Sequence, residues 1–232
     1  MGGMVDRDEW LEARRALLAK EKALTRLRDE VAAERRALPR RRIDKDYVFA
    51  GPGGRLRLGD LFAGLSQLVV YHFMLGPTAT EPCKSCSFWA EQYDALRVHL
   101  AHRDTELCAV SRAPLAKIEA VKARFAWRFP WYSSGESDFN FDFGVSFTEA
   151  EDGQPLYNYG FNKASKGELP GLSVFVKDAS GAVFHTYSTY ARGLDALNGT
   201  YQLLDLTPKG RQEEGLPWPM AWVRHKDRYE AP

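Results

Sequence analysis

Residues 68–86 read LVVYHFMLGPTATEPCKSC. Leu68 to Met74 is a nearly continuous apolar run, the mark of a strand buried on both faces. The cysteine pair Cys83-Lys84-Ser85-Cys86 follows a short loop later, and Trp89, Tyr93, Leu96 and Leu100 then recur at helical spacing. A strand, a CxxC and a helix in that order open a βαβ unit. The first thiol then stands at a helix start, where unpaired backbone N–H groups and the peptide dipole stabilise an anion. Its pKa is expected to fall, which makes Cys83 a nucleophile near neutral pH. Cys86 lies one helical turn on, within reach of a mixed disulfide at Cys83. Lys84 adds positive charge beside the thiolate, and Ser85 completes the loop that a substrate would meet.

Downstream, Glu106 to Val110 reads as a short strand. Pro114 opens a helix in whose first turn it is tolerated, with Leu115, Ile118, Val121 and Phe125 on one face. Leu172 to Val176 is the next strand, turned by Lys177-Asp178-Ala179-Ser180-Gly181 into 182–188. A last helix carries Leu194, Leu197, Tyr201 and Leu204. Between them lies an aromatic-rich insertion, about 126–169, too long for a plain connector and expected to be ordered. Upstream, Tyr47-Val48-Phe49 and Arg55-Leu56-Arg57-Leu58 flank Gly51-Pro52-Gly53-Gly54, which reads as a β-hairpin. The order is therefore hairpin, βαβα, insertion, ββα: an α/β sheet covered on both faces.

The arm before residue 47 is different. Residues 1–46 hold 13 basic and 10 acidic side chains, half the segment, against about a fifth of the remainder. Trp10, Leu17, Leu24, Val31 and Leu38 recur every seven residues, a narrow helical stripe stopped by Pro39. The companion positions Ala13, Lys20 and Glu34 do not suit a self-sufficient coiled coil. The helix is expected to pack on the main body or on a partner subunit, and the stripe suits a homodimer. Arg40-Arg41-Arg42 reads as a solvated linker after the helix, with an anion or nucleic-acid patch as the sharper alternative. The organisation is thus a helical arm (1–46), a main domain (47–212) and a C-terminal tail (213–232) that packs on the domain or on a partner.

Composition narrows the classes. With 44% hydrophobic residues the 232-residue chain can bury a core, and no run approaches the length of a membrane span. A net charge of +1 supplies no field for nucleic acid or anionic membranes. The start has no apolar signal segment, and three cysteines are too few for a disulfide scaffold, so a reducing cytoplasm is expected. Zinc would need two more ligands beside the pair. Only Cys108 and the scattered His72, His99, His102, His185 and His225 are on offer, and neither a metal nor a cofactor is expected. Cys108 and His72 sit in strands and read as core residues.

Pro170 precedes the strand at Leu172, where a fold that clamps extended substrates beside a CxxC would carry a cis proline. An ordinary trans proline that starts a strand is the alternative. The segment HTYSTYARG (185–193) is too polar for a plain interior strand. Alternation sends His185, Tyr187 and Thr189 to one face. A buried hydrogen-bond network is one reading; a polar pocket wall of His185 and Tyr187, with Arg192 as an anion or substrate contact, is the other. Asp138, Asn140 and Asp142 alternate at a metal-like spacing without completing a calcium loop.

The order β-CxxC-α-β-α, then Pro-β-β-α, resembles the thioredoxin fold, and the N-terminal hairpin is closer to its peroxiredoxin branch. The phrases LVVYHFMLGP, EPCKSCSFWAEQ, FPWYSSGESDFNFDFGVSF, ELPGLSVF and VFHTYSTYARGLDAL resemble the bacterial thioredoxin-like proteins of domain-of-unknown-function family 899. Thioredoxins carry Trp-Cys-Gly-Pro-Cys directly after the strand, whereas here Leu75 to Pro82 intervene and Lys-Ser replaces Gly-Pro. Peroxiredoxins carry Pro-x-x-x-Thr-x-x-Cys; this chain is one residue short between Pro77 and Thr80, while Thr80 keeps its offset from Cys83. The resemblance implies a thioredoxin-like fold. The expected activity is thiol–disulfide exchange, with Cys83 attacking a protein or small-molecule disulfide across Pro170 and Cys86 resolving, turned over by a reductant. The alternatives are a peroxiredoxin-like peroxide reductase, with Thr80 at the peroxide, and a non-catalytic binding or assembly module.

Overall fold

The computed structural model describes residues 3–148, 156–163 and 167–230. The arm forms α1 (Arg7–Ala37), capped by the Asp6 carboxylate, which accepts from the N–H groups of Asp8 and Glu9. Asp8 and Glu9 in the first turn and Arg35 and Arg36 in the last match the helix dipole. No α1 residue is buried, and Trp10, Leu17, Leu24 and Leu38 stay about half exposed. The expected stripe is therefore present, but the body does not cover it. The last turn meets the body where the Arg35 guanidinium lies 5.3 Å over the Tyr187 ring.

After α1 come β1 (Arg41–Arg42), the hairpin β2 (Val48–Gly51) and β3 (Gly54–Arg57), β4 (Gln67–His72), α2 (Lys84–Ala90), α3 (Tyr93–Ala101), β5 (Thr105–Ser111), α4 (Leu115–Phe125) and β6 (Trp131–Ser133). Then follow α5 (Phe139–Asp142), the short strands β7 (Ser146–Phe147), β8 (Leu156–Tyr157), β9 (Asn162–Lys163) and β10 (Gly167–Glu168), and finally β11 (Gly171–Lys177), β12 (Val183–Tyr190) and α6 (Gly199–Leu204). One sheet runs β1-β12-β11-β4-β5-β6-β2-β3. Its centre β4-β5-β6 is parallel, which requires helical crossovers, and α2–α3 and α4 provide them. β11 pairs antiparallel with both β4 and β12. This is a thioredoxin-like α/β fold.

Four sequence expectations are corrected. Arg41 and Arg42 are an edge strand on β12, opposite His185 and Phe184, rather than a solvated linker. The region read as an insertion from 126 contributes β6 to the main sheet; three residues are too few for alternation to show. The helix expected through Trp89 and Leu100 breaks at Glu91-Gln92. There Trp89 Nε1–H donates to Leu194 O (2.9 Å) and Gln92 Nε2–H to Leu197 O (2.6 Å), and Leu96 is left exposed. The last helix divides into a 3-10 turn at Ala191–Leu197 and α6, because Asn198 caps a new start by accepting from Tyr201 N–H.

Period-two alternation divides the core. Tyr71 and Phe73 of β4 join Leu107, Ala109, Cys86, Trp89, Ile118 and Phe125 under the helices α2 and α4. Leu68 and Val70 point the other way, to Cys108, Val110, Phe175, Phe49, Phe139 and Phe143. Each fully buried aromatic contributes roughly 1.5–3 kcal/mol. Among the described residues, no helix is long and apolar enough to cross a membrane.

Candidate active site

Cys83 ends the loop after β4 as the N-cap of α2, in extended backbone (φ −62°, ψ 122°). Its own N–H donates to Met74 O at 3.3 Å, which ties the loop to the end of the strand. The thiol is pulled down to about 6, first by a hydrogen bond from the Cys86 thiol and then by the N–H groups of Cys86 and Ser85 and the Ser85 hydroxyl, against the opposing effect of burial. The neighbouring thiol is the largest single contributor, ahead of each amide on which the sequence argument rested. Cys86 is buried, and burial together with the anion at Cys83 pushes its thiol well up. Two groups act the other way on Cys86: the Tyr71 hydroxyl, and the Met74 N–H, which donates to Sγ at 3.4 Å. The two sulfurs therefore differ in kind, one an anion near neutral pH and the other a protonated thiol.

A cavity of about 1080 Å³ opens onto Ser85 and Cys86, with Pro170, Tyr71, Met74 and Trp89 on its near side. Pro170 is trans, since no peptide bond among the described residues is cis. Its carbonyl accepts a hydrogen bond from the Tyr157 hydroxyl. Arg192 lines the same cavity with its side chain 90% exposed, 3.4 Å from Asp195. Lys84 turns to the C-terminal tail, where Nζ donates to Ala221 O at 3.1 Å and lies 5.9 Å from the Trp218 ring.

Three expected residues do not line this cavity, and neither does Cys83 itself. Thr80 is exposed and does not line the cavity. His185 lies on the opposite face of the sheet in a buried chain of hydrogen bonds: His72 Nε2 to Ser173 Oγ, Ser173 Oγ to Ser188 Oγ, and Ser188 Oγ to His185 Nε2, each 2.8 Å. Burial in this chain pulls the His72 imidazole down to about 3. Tyr187 faces the other side from His185. The register of β11 against β12 shifts between Val174 and Phe175, so that Val174 opposes Tyr187 and Phe175 opposes His185. Thr186 is the extra residue of a bulge, and simple alternation fails across it. Asp138 and Asp142 hold Lys45 Nζ at 2.8 and 2.7 Å. Among the described residues, no three His, Cys, Asp or Glu side chains group as metal ligands.

The tail packs on the domain, one of the two placements expected for it, and is held there in part by Glu213 and Arg124, which the sequence did not single out. Glu213 accepts hydrogen bonds from the Tyr201 hydroxyl (2.6 Å), Met220 N–H (2.9 Å) and Trp222 Nε1–H (2.9 Å). His225 Nε2–H donates to Pro82 O, directly before Cys83, at 3.0 Å. Arg124 bridges Glu81 (2.6 Å) and Asp227 (2.7 Å). In the run LPWPMAW (216–222), Met220, Ala221 and Trp222 are partly covered, while Pro217, Trp218 and Pro219 stay exposed. It docks on α2, where Trp222 meets Phe88 edge-on at 5.5 Å.

Residues 2–229 match the family described as "Bacterial protein of unknown function (DUF899)". No curated protein matches the chain. Solved structures similar to it include a variant of peroxiredoxin Q of Xanthomonas campestris, 16% identical, covering 72% of this chain and 98% of that one, TM-score 0.48. Peroxidoxin BcpB of Mycobacterium tuberculosis is 14% identical, with 72% and 97% covered and a TM-score of 0.46. A putative thiol:disulfide interchange protein DsbE of Chlorobium tepidum is 13% identical, with 66% and 86% covered and a TM-score of 0.40.

Proposed function

The chain belongs to the bacterial family DUF899, and we propose that it is a thiol–disulfide oxidoreductase in which Cys83 attacks and Cys86 resolves. The observation that carries this is the unequal pair: a Cys83 thiol held at about 6 by four donors, one of them the buried Cys86 thiol one turn away. The Cys83 thiolate attacks one sulfur of a disulfide R–S–S–R, forms Cys83–S–S–R and releases RS⁻. Cys86 then loses its proton and attacks Cys83 Sγ; the Cys83–Cys86 disulfide forms, and the second RS⁻ leaves. A dithiol reductant restores the pair and is itself oxidised to a disulfide. Cys86 thereby serves twice, as hydrogen-bond donor to the first thiolate and as the nucleophile of the second step.

The peroxide-reducing alternative uses the same thiolate, but the Pro-x-x-x-Thr-x-x-Cys spacing it needs is one residue short between Pro77 and Thr80, and Thr80 is exposed. Disulfide exchange is therefore the reading supported best. The test is reduction of a disulfide by the purified protein with a dithiol supplied. Cys83→Ser is expected to abolish it, and Cys86→Ser to stop at a mixed disulfide on Cys83. An alkylation midpoint for Cys83 near 9, together with no reduction, overturns the proposal.

A further inference from the structure

We infer that His225 is a positioning residue for the nucleophile: from the C-terminal tail it holds the peptide between Pro82 and Cys83, and the tail is thereby part of the working site. This deepens the oxidoreductase reading and rests on it. The peptide is gripped at both of its polar atoms. Its carbonyl, Pro82 O, accepts from His225 Nε2–H at 3.0 Å, and its amide, Cys83 N–H, donates to Met74 O at 3.3 Å. A peptide unit is planar, so two opposed hydrogen bonds fix its tilt against the start of α2. The groups that hold the Cys83 sulfur, on Ser85 and Cys86, lie beyond its Cα in α2. They reach Sγ only while the incoming peptide keeps the N-cap geometry.

The loop that delivers Cys83 has no helix or strand of its own over residues 73–83. Lys117 on α4 ties its first half, with Nζ donating to Pro77 O at 2.9 Å and to Ala79 O at 2.7 Å. The tail ties the second half. Arg228 Nη2–H donates to Glu81 at 2.9 Å, His225 to Pro82 and, past the cysteine, Ala221 O accepts from Lys84 Nζ at 3.1 Å. His225 is itself firmly seated, since it is buried with its ring 5.4 Å from that of Phe125. Its chain neighbours grip the end of α4: Lys226 Nζ donates to Phe125 O at 2.6 Å, and Asp227 accepts from Arg124 Nε–H at 2.7 Å. Position is thus relayed from the end of α4, through residues 225–227, to the residue before the nucleophile.

The main groups acting on the Cys83 sulfur belong to Cys86 and Ser85, and the His225 imidazole is not among them. Its Nδ1 faces Glu81 Oε2 at 4.0 Å rather than the thiol. The contribution of His225 therefore runs through the backbone. Without its N–H the buried Pro82 carbonyl is left to find another partner, and the peptide is free to turn toward one. A tilted peptide carries the Cys83 side chain off the start of α2, and the bonds from Ser85 and Cys86 weaken together. The anion depends on those bonds more than the neutral thiol does, so the thiolate is the form that suffers.

The test is the pH profile of iodoacetamide labelling at Cys83, read by mass, in the reduced full-length protein and its variants, with a thermal melt to show that each is folded. His225→Leu keeps the volume and deletes the donor, and its midpoint is expected to rise by roughly 0.5–1 pH unit. His225→Gln returns an N–H at a reach like that of Nε2 and is expected to bring the midpoint at least halfway back. Should His225→Leu not fold, His225→Asn, polar but too short to reach Pro82, takes its place with the same expected rise. A folded variant without the donor that melts lower but labels at the unaltered midpoint makes His225 a packing residue. That result overturns the inference and leaves the oxidoreductase reading standing, as does a Gln variant shifted as far as the Leu variant. A midpoint in the ordinary thiol range for the unaltered protein overturns both readings together.

Discussion

The backbone N–H of Met74 donates to Cys86 Sγ across 3.4 Å and joins the loop after β4 to the buried member of the pair. The Tyr71 hydroxyl acts on the same sulfur, and the Tyr71 ring is held edge-on against Tyr93 at 5.3 Å. No carboxylate is among the groups acting on Cys86, so these two donors are what eases loss of its proton.

Tyr71→Phe keeps the ring and deletes the hydroxyl. Decay of a mixed disulfide trapped on Cys83 is expected to slow by about two- to tenfold, the worth of one hydrogen bond. Cys83 alkylation should be nearly unchanged. Rapid-mixing mass spectrometry of the decay reads this, and an unaltered rate would assign Tyr71 to packing alone.

Alkylation of Cys83 should be half-maximal near pH 6, where its thiol titrates. The Cys86 thiol is the largest cause of that depression, so Cys86→Ala is expected to move the midpoint upward toward the ordinary thiol range. The same shift affects stability. A thiol more acidic in the folded than in the unfolded chain adds stability above its unfolded pKa and loses it as pH falls toward 6. Iodoacetamide labelling across pH tests the midpoint in both proteins.

His72 titrates at about 3 because it is buried in the serine–histidine chain. Its unfolded pKa is higher, so between about 6.5 and 3 the unfolded chain binds a proton that the folded chain does not. Stability therefore falls as pH drops through that window, by up to about 1.4 kcal/mol per unit from this one group. Urea melts of the protein and of His72→Asn at stepped pH should show a shallower acid slope in the variant.

Glu106 is buried, and its carboxylate takes both Arg97 Nε–H at 2.5 Å and Arg97 Nη2–H at 2.8 Å. Arg97→Met would strand a buried charge. Loss of one partner from a fully buried pair costs roughly 3–5 kcal/mol; because Arg97 is partly exposed, about 2–3 kcal/mol is expected here. Denaturant unfolding measures it, and a loss below about 1 kcal/mol would mean that water reaches Glu106.

Removal of residues 1–38 deletes α1, none of whose residues is buried. The thermal midpoint is expected to stay within about 2 °C, because core burial is untouched. A larger fall in a calorimetric scan would show that the apolar stripe is covered in solution.

Much of the fold was readable because its signals are local. The run Leu68 to Met74 announced a buried strand, and Pro114 with Ile118, Val121 and Phe125 announced a helix with one buried face. Asn158 and Tyr159 adopt positive φ, which no periodicity foretells. β6 was hidden because three residues carry no periodicity, and the break at Glu91-Gln92 because its partners Leu194 and Leu197 are distant in sequence. The placement of His185 and Tyr187 failed for a geometric reason. One extra residue in a strand reverses which face every later side chain takes, and nothing in the sequence HTYST marks the bulge at Thr186.

The sequence by itself determined the alternation of strand and helix and the seat of Cys83 at a helix start, because both depend on residues only a few positions apart. Tertiary structure alone decided what surrounds the sulfurs and where the tail returns: Tyr71 beside Cys86, the trans Pro170 at the cavity, and Glu213 holding the C-terminal tail through Tyr201 and Trp222. Contacts of that kind depend on sheet register and on where a tail returns, and these are set by packing across the whole molecule.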